Sequence, residues 1–128
     1  MIVLDTSFLV ALFNDEDSFH SKALSDFVEV ENEIQLISDY IALETATVLR
    51  NKKGLSAAVS FLNGIQATKK IEIHHFDTSE FQLISKIFKE QVEQISFIDA
   101  SVIYLAKQTN STVATYDKGI LKYVPSGF

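Results

Sequence analysis

The sequence predicts an α/β fold, with a mostly parallel central sheet covered by helices on both faces. Three observations carry this. Short continuous apolar runs recur along the 128 residues, as buried strands do. Between them lie longer segments with apolar residues at helical spacing. Glycine is scarce and the only proline is Pro125, so little interrupts the alternation. Strands joined through helices pair in parallel, and parallel sheets need cover on both faces.

The elements follow in order. Ile2 to Leu4 read as a strand and Phe8 to Phe13 as the start of a helix. Asp15, Glu16 and Asp17 form an acidic turn. Ser18 to Val28 read as a second helix, with Phe19, Ala23, Phe27 and Val28 at helical spacing. Ile34 to Ile37 form the next strand. Ser38 or Asp39 then caps a helix that runs to about Lys52 and stops at Gly54. Ala57 to Ala67 are helical, with Val59, Phe61, Leu62 and Ile65 inward. Ile71 to Phe76 read as a strand, and Ser79 to Val92 as an amphipathic helix on Phe81, Ile84, Ile87 and Phe88. Ser96 opens a helix through Lys107. Thr112 to Thr115 form a strand, and Tyr123 and Val124 are expected to add a last short one. No linker, repeat or low-complexity segment divides the chain, so residues 1–128 are expected to form one domain.

Composition excludes several classes. There is no cysteine, hence no disulfide framework and no thiolate zinc site. The longest apolar run, Phe8 to Phe13, falls far short of the roughly 20 residues that span a bilayer. The N-terminus has no basic segment and Asp5 interrupts its apolar run, so neither a signal peptide nor membrane association is expected, and the protein is read as cytoplasmic. The formal net charge of −6 argues against a nucleic-acid binder that works by surface charge alone. That argument reverses if carboxylates hold divalent cations.

Sites in such folds form at the carboxyl ends of the strands. Asp5 follows the first strand directly, and Asp117 follows the strand VAT, in TYDKG. Glu44 and Asp99 interrupt apolar stretches, in YIALETATVL and SFIDASVIYLA. Each has a local reading. Asp5 suits an N-cap, Asp99 completes a capping box with Ser96, Asp117 suits a turn, and Glu44 can face solvent. All four can also point into one crevice. Two carboxylates ~5 Å apart repel by about 3 kcal/mol at an effective dielectric near 20. Such a cluster calls for cations, and oxygen ligands without cysteine select Mg²⁺ or Mn²⁺.

IVLDTSFLVALF, LETATVL, SFIDASVIYLA and VATYDKGI, in this order, resemble the PIN domain, specifically the short VapC-like toxins of type II toxin–antitoxin pairs. The resemblance covers nearly the whole chain. It implies a three-layer α/β/α PIN-like fold and a metal-dependent endoribonuclease. It further implies that Asp5, Glu44, Asp99 and Asp117 form the catalytic, metal-binding pocket, with Asp5 and Asp99 as the most direct ligands. Thr6, Ser7 and Thr115 would orient ligands or solvent behind them. A cognate antitoxin and a homodimer are the implied partners, the antitoxin inserting a basic side chain into the acidic pocket. One departure stands out. Relatives often carry another acid shortly after the last aspartate, where this chain has Lys118 and Gly119.

Among the remaining residues, Arg50, Lys52 and Lys118 are candidate RNA contacts, with Lys118 expected nearest the pocket. A favourable interaction with their helix C-terminus also explains Arg50 and Lys52. His74 and His75 are adjacent in a strand, point to opposite faces and are read as structural or surface residues. His20 is read as a surface helix residue. Phosphatases of the haloacid-dehalogenase type need a second aspartate where Ser7 stands, and receiver domains need paired acids after the first strand. An RNA-processing nuclease that is not a toxin, or a PIN-like binding module with a weakened metal pocket, stays open.

Overall fold

Four short parallel strands make the central sheet: β1 (Ile2–Leu4), β2 (Gln35–Ser38), β3 (Ile71–His74) and β4 (Thr112–Ala114), in the order β3-β2-β1-β4. The computed structural model describes residues 1–128. Six helices follow in pairs after the first three strands: α1 (Thr6–Phe13) and α2 (His20–Val30), α3 (Asp39–Lys53) and α4 (Leu55–Ala67), α5 (Thr78–Lys89) and α6 (Phe97–Thr109). The result is a three-layer α/β/α arrangement. β1 lies inside the sheet, and Ile2, Val3 and Leu4 are all buried, which accounts for its unbroken apolar run. None of the helices is long and apolar enough to cross a membrane.

Local chemistry sets the helix ends. The Ser38 hydroxyl accepts the Ile41 N–H at 3.2 Å and opens α3. Gly54 ends α3 at φ +102°, a conformation that side-chain-bearing residues avoid, and its N–H reaches the Leu49 and Arg50 carbonyls. Asn110 closes α6 in the left-handed region at φ 51°.

Several faces differ from the sequence expectation. On α4, Ala58, Phe61 and Ile65 form the buried stripe, and Val59, turned away from it, is 44% exposed. Val28 on α2 and Phe81 on α5 also face outward, although Phe81 keeps an aromatic contact with Phe97. Phe19 precedes α2 instead of packing within it, and is 47% exposed. β3 ends at His74, and α5 ends at Lys89, which leaves Val92 outside the helix and exposed. Tyr123 and Val124 form no strand. The chain first tightens into a 3₁₀ turn at Ile120–Lys122, and contact with β4 begins at Ser126, where Val113 donates to the Pro125 carbonyl and accepts from Gly127.

Candidate active site

The strand order switches sides at β1, because β2 and β3 extend the sheet on one side of it and β4 lies parallel to it on the other. A crevice opens at that point outside the carboxyl ends of the strands. Asp5 sits there. Its N–H is held by the Ala114 carbonyl of β4 at 3.1 Å. Its carboxylate caps α1, accepting the Ser7 N–H at 3.4 Å. The same oxygen, Oδ2, accepts the Ser7 hydroxyl at 2.8 Å and the Thr115 hydroxyl at 2.7 Å. Oδ1 is left free of side-chain donors, so the cap and the site are one arrangement.

The two hydroxyls also lock the segment after β4. Ser7 Oγ accepts the Tyr116 N–H at 2.9 Å, and Thr115 Oγ1 accepts the Asp117 N–H at 3.0 Å. Asp117 in turn accepts the Gly119 N–H at 2.8 Å, the turn geometry its sequence suggests. Asp99 lies in the first turn of α6. The Ser96 N–H donates to its Oδ2 at 3.2 Å, and its own N–H donates to Ser96 Oγ at 3.0 Å. Glu44, half-buried on α3, has no hydrogen-bond or ion-pair partner of its own. Thr6 ties α1 to this helix by accepting the Thr45 hydroxyl at 3.3 Å.

Asp5, Glu44, Asp99 and Asp117 line one pocket of about 390 Å³, together with Thr6 and Ser7. Thr115 lies behind that wall, bonded to Asp5. Lys52 is on the wall and forms no ion pair, whereas Arg50 and Lys118 are exposed and stand off it. Lys52, not Lys118, is thus the lysine at the pocket. Five wall residues were not singled out as site candidates in the sequence: Val10, Asp17, Phe19, Val48 and Tyr116. Asp17 belongs to the acidic turn, and its Oδ1 accepts the Phe19 N–H at 2.9 Å. Phe19 itself reads as a helix-face residue when taken by spacing alone. No histidine reaches the pocket. His20 contacts the Ala11 carbonyl oxygen at 2.7 Å, His74 pairs with Glu80 at 2.9 Å, and His75 lies 3.6 Å from Asp39.

The pocket is short of positive charge. Burial pushes the Asp5 carboxyl above the usual range despite the Thr115 and Ser7 hydrogen bonds, and the nearby Asp99 charge adds to the shift. Burial raises Asp99 too, with the Asp117 charge acting in the same direction against the bonds to Ser96. A hard divalent cation would relieve both. No three acidic or histidine side chains gather closely enough to cage an ion unaided. The acidic donors on the wall are carboxylate oxygens, the kind a hard ion such as Mg²⁺ takes.

Thr115→Val tests how far the carboxylate depends on its support. Valine keeps the shape, removes a donor to Asp5 and leaves the part-buried Asp117 N–H without its acceptor. Unfolding free energy is expected to fall by about 1–3 kcal/mol. Mg²⁺ affinity, read from the thermal shift on titration, is expected to weaken by about 10–100-fold. Unchanged values for both would contradict this arrangement.

Residues 2–125 match the family model of the PIN domain. No curated protein sequence shows significant similarity to the chain. Among solved structures, the fold is similar to that of VapC20 from Mycobacterium tuberculosis, described as a sarcin–ricin-loop-cleaving toxin. The TM-score is 0.87 at 21% identity, covering 95% of this chain and 94% of that one. VapBC2 from Rickettsia felis, bound to a DNA fragment from its promoter, gives a TM-score of 0.67 at 19% identity, with 98% and 94% covered. FitAcB from Neisseria gonorrhoeae gives 0.71 at 18% identity, with 98% and 96% covered.

Proposed function

Because the chain belongs to the PIN-domain family, we propose that it is a Mg²⁺- or Mn²⁺-dependent ribonuclease, and the toxin of a VapBC-type toxin–antitoxin pair. The observation that carries this reading is the meeting of Asp5, Glu44, Asp99 and Asp117 on one pocket wall at the carboxyl edge of the sheet. The fold shared with VapC20 supports the toxin assignment.

Asp5, through its free Oδ1, and Asp99 would hold the cation, with Glu44 and Asp117 completing its surroundings directly or through water. When bound, the ion supplies a water of lowered pKa and neutralises charge on a phosphate. The Ser7 and Thr115 hydroxyls fix Asp5 in one rotamer, so the carboxylate is placed before RNA arrives. Lys52 offers an uncommitted ammonium to the RNA backbone at the pocket edge. A divalent ion held by Asp5 and Asp99 would supply the water for in-line hydrolysis of a phosphodiester with departure of the 3′-oxygen.

The same proposal includes a homodimer and an antitoxin that covers the pocket with a basic side chain. The net charge of −6 suits that partner. The apolar groove of Tyr40, Leu43, Phe81 and Phe97, in which Leu43 is 69% exposed, supports an interface between copies. The looseness of the carboxylate set favours, as the second reading, a PIN-like binding module that has lost cleavage. Incubating the purified chain with RNA and Mg²⁺, and mapping the ends produced, separates the two. Cleavage that depends on the metal and is lost in Asp99→Asn supports the nuclease; intact RNA supports the binding module.

A further inference from the structure

Phe19 stands where neither core packing nor the carboxylate chemistry explains it. Its ring stacks on Tyr116 with centroids 4.8 Å apart and planes within 13° of parallel. Both rings line the pocket that holds the four carboxylates. Tyr116 is firmly held. Its N–H donates to the Ser7 hydroxyl that also bonds Asp5, its phenol donates to Asp26 at 2.8 Å, and Phe8 and Phe128 flank its ring. The Phe19 backbone is fixed by its N–H, which donates to Asp17 Oδ1 at 2.9 Å. One face of a half-exposed phenylalanine is thus covered by a fixed ring, and its orientation relative to Asp5 is set through Tyr116 and Ser7.

Resting on the nuclease reading above, we propose that Phe19 is a stacking platform for a nucleobase adjoining the phosphate at the carboxylates. A flat aromatic surface beside a cation-binding pocket matches a nucleotide, which joins a planar base to an anionic phosphate. The pocket volume of about 390 Å³ is in the range of small-molecule sites. Lys52 on the same wall has no carboxylate partner and is available for a neighbouring phosphate. Stacking uses the π-face that every base has, so the platform sets the position of the strand without selecting its sequence.

The experiment compares wild type, Phe19→Ala and Phe19→Trp on a short RNA and on the same RNA made abasic next to the cleaved bond. Loss of one stacked base, worth about 1–3 kcal/mol, corresponds to a KM rise of about 5- to 150-fold. Phe19→Ala is expected to show that rise with little change in kcat, and to lose it on the abasic RNA. Phe19→Trp is expected to keep the wild-type KM. The chain has no other tryptophan, so fluorescence of that variant in Mg²⁺, read on mixing before cleavage proceeds, should be quenched by oligouridylate and not by an abasic ribose-phosphate strand. A wild-type KM in Phe19→Ala overturns the platform alone and assigns the ring to packing or to a protein contact. A KM rise that persists on abasic RNA, or an unquenched tryptophan, also overturns it. No cleavage by the wild type overturns the nuclease reading and the platform with it.

Discussion

Asp5→Asn is expected to reduce metal-dependent RNA cleavage by more than about 100-fold and, in EDTA, to make the fold more stable. Partners standing behind a metal ligand already carry about 10–100-fold each, so loss of a direct ligand should exceed that. The fold should survive. Asparagine is as good an N-cap as aspartate, and its carbonyl oxygen can still accept the Ser7 and Thr115 hydroxyls. The gain in stability follows from the sign of the Asp5 shift. Burial raises its folded pKa above the unfolded value of about 3.9. The native chain therefore binds the proton more tightly, and metal-free stability falls as pH rises from the unfolded pKa through the folded one. Above the folded pKa the buried carboxylate costs the fold free energy, and asparagine removes that cost. Melting in EDTA across pH 4–8 should show this loss in wild type and a smaller one in the variant, where Asp99 still titrates upward. Mg²⁺ should restore wild type, by about 2.7 kcal/mol at a hundredfold excess over Kd, and do much less for Asp5→Asn. Equal cleavage by both proteins would remove Asp5 from the site.

Phe61→Ala is expected to have the largest effect on stability. Phe61 is fully buried on α4 and meets Phe13 of α1 edge to face, with centroids 5.4 Å apart and planes at 83°. Truncation removes the transfer free energy of the ring and leaves a cavity between helices, together about 3–5 kcal/mol. Against a typical total of about 5–15 kcal/mol, that is a large fraction. The urea midpoint should fall with an unchanged slope. Val59→Ala, two residues away on the exposed face, should stay within about 0.5 kcal/mol. A small effect for Phe61 would mean that α4 does not pack as described.

The sheet and helices were legible because their signals are local: the apolar strands, the Ser38 and Ser96 caps, and Gly54 at positive φ. The grouping of Asp5, Glu44, Asp99 and Asp117 was legible because strand and helix positions limit where a side chain can go. Their local readings did not compete with that grouping. Asp99 completes a capping box with Oδ2 and still lines the pocket, and Asp117 holds its turn from the same wall. Less was legible where tertiary placement decides. Lys118 is close to Asp117 in sequence, yet Lys52 reaches the wall from α3. Helical spacing put Phe19 inward, but the residue precedes the helix, and the ring that receives it, Tyr116, lies 97 positions further along the chain. No periodicity within a segment encodes such a pair.

The most direct test of a water-attacking, metal-dependent ribonuclease is the chemistry of the RNA ends made by the purified chain in Mg²⁺. In-line attack by water with departure of the 3′-oxygen predicts 5′-phosphate and 3′-hydroxyl ends, absent in EDTA and in Asp99→Asn. Ends carrying 2′,3′-cyclic phosphate, formed equally with and without metal, would contradict it.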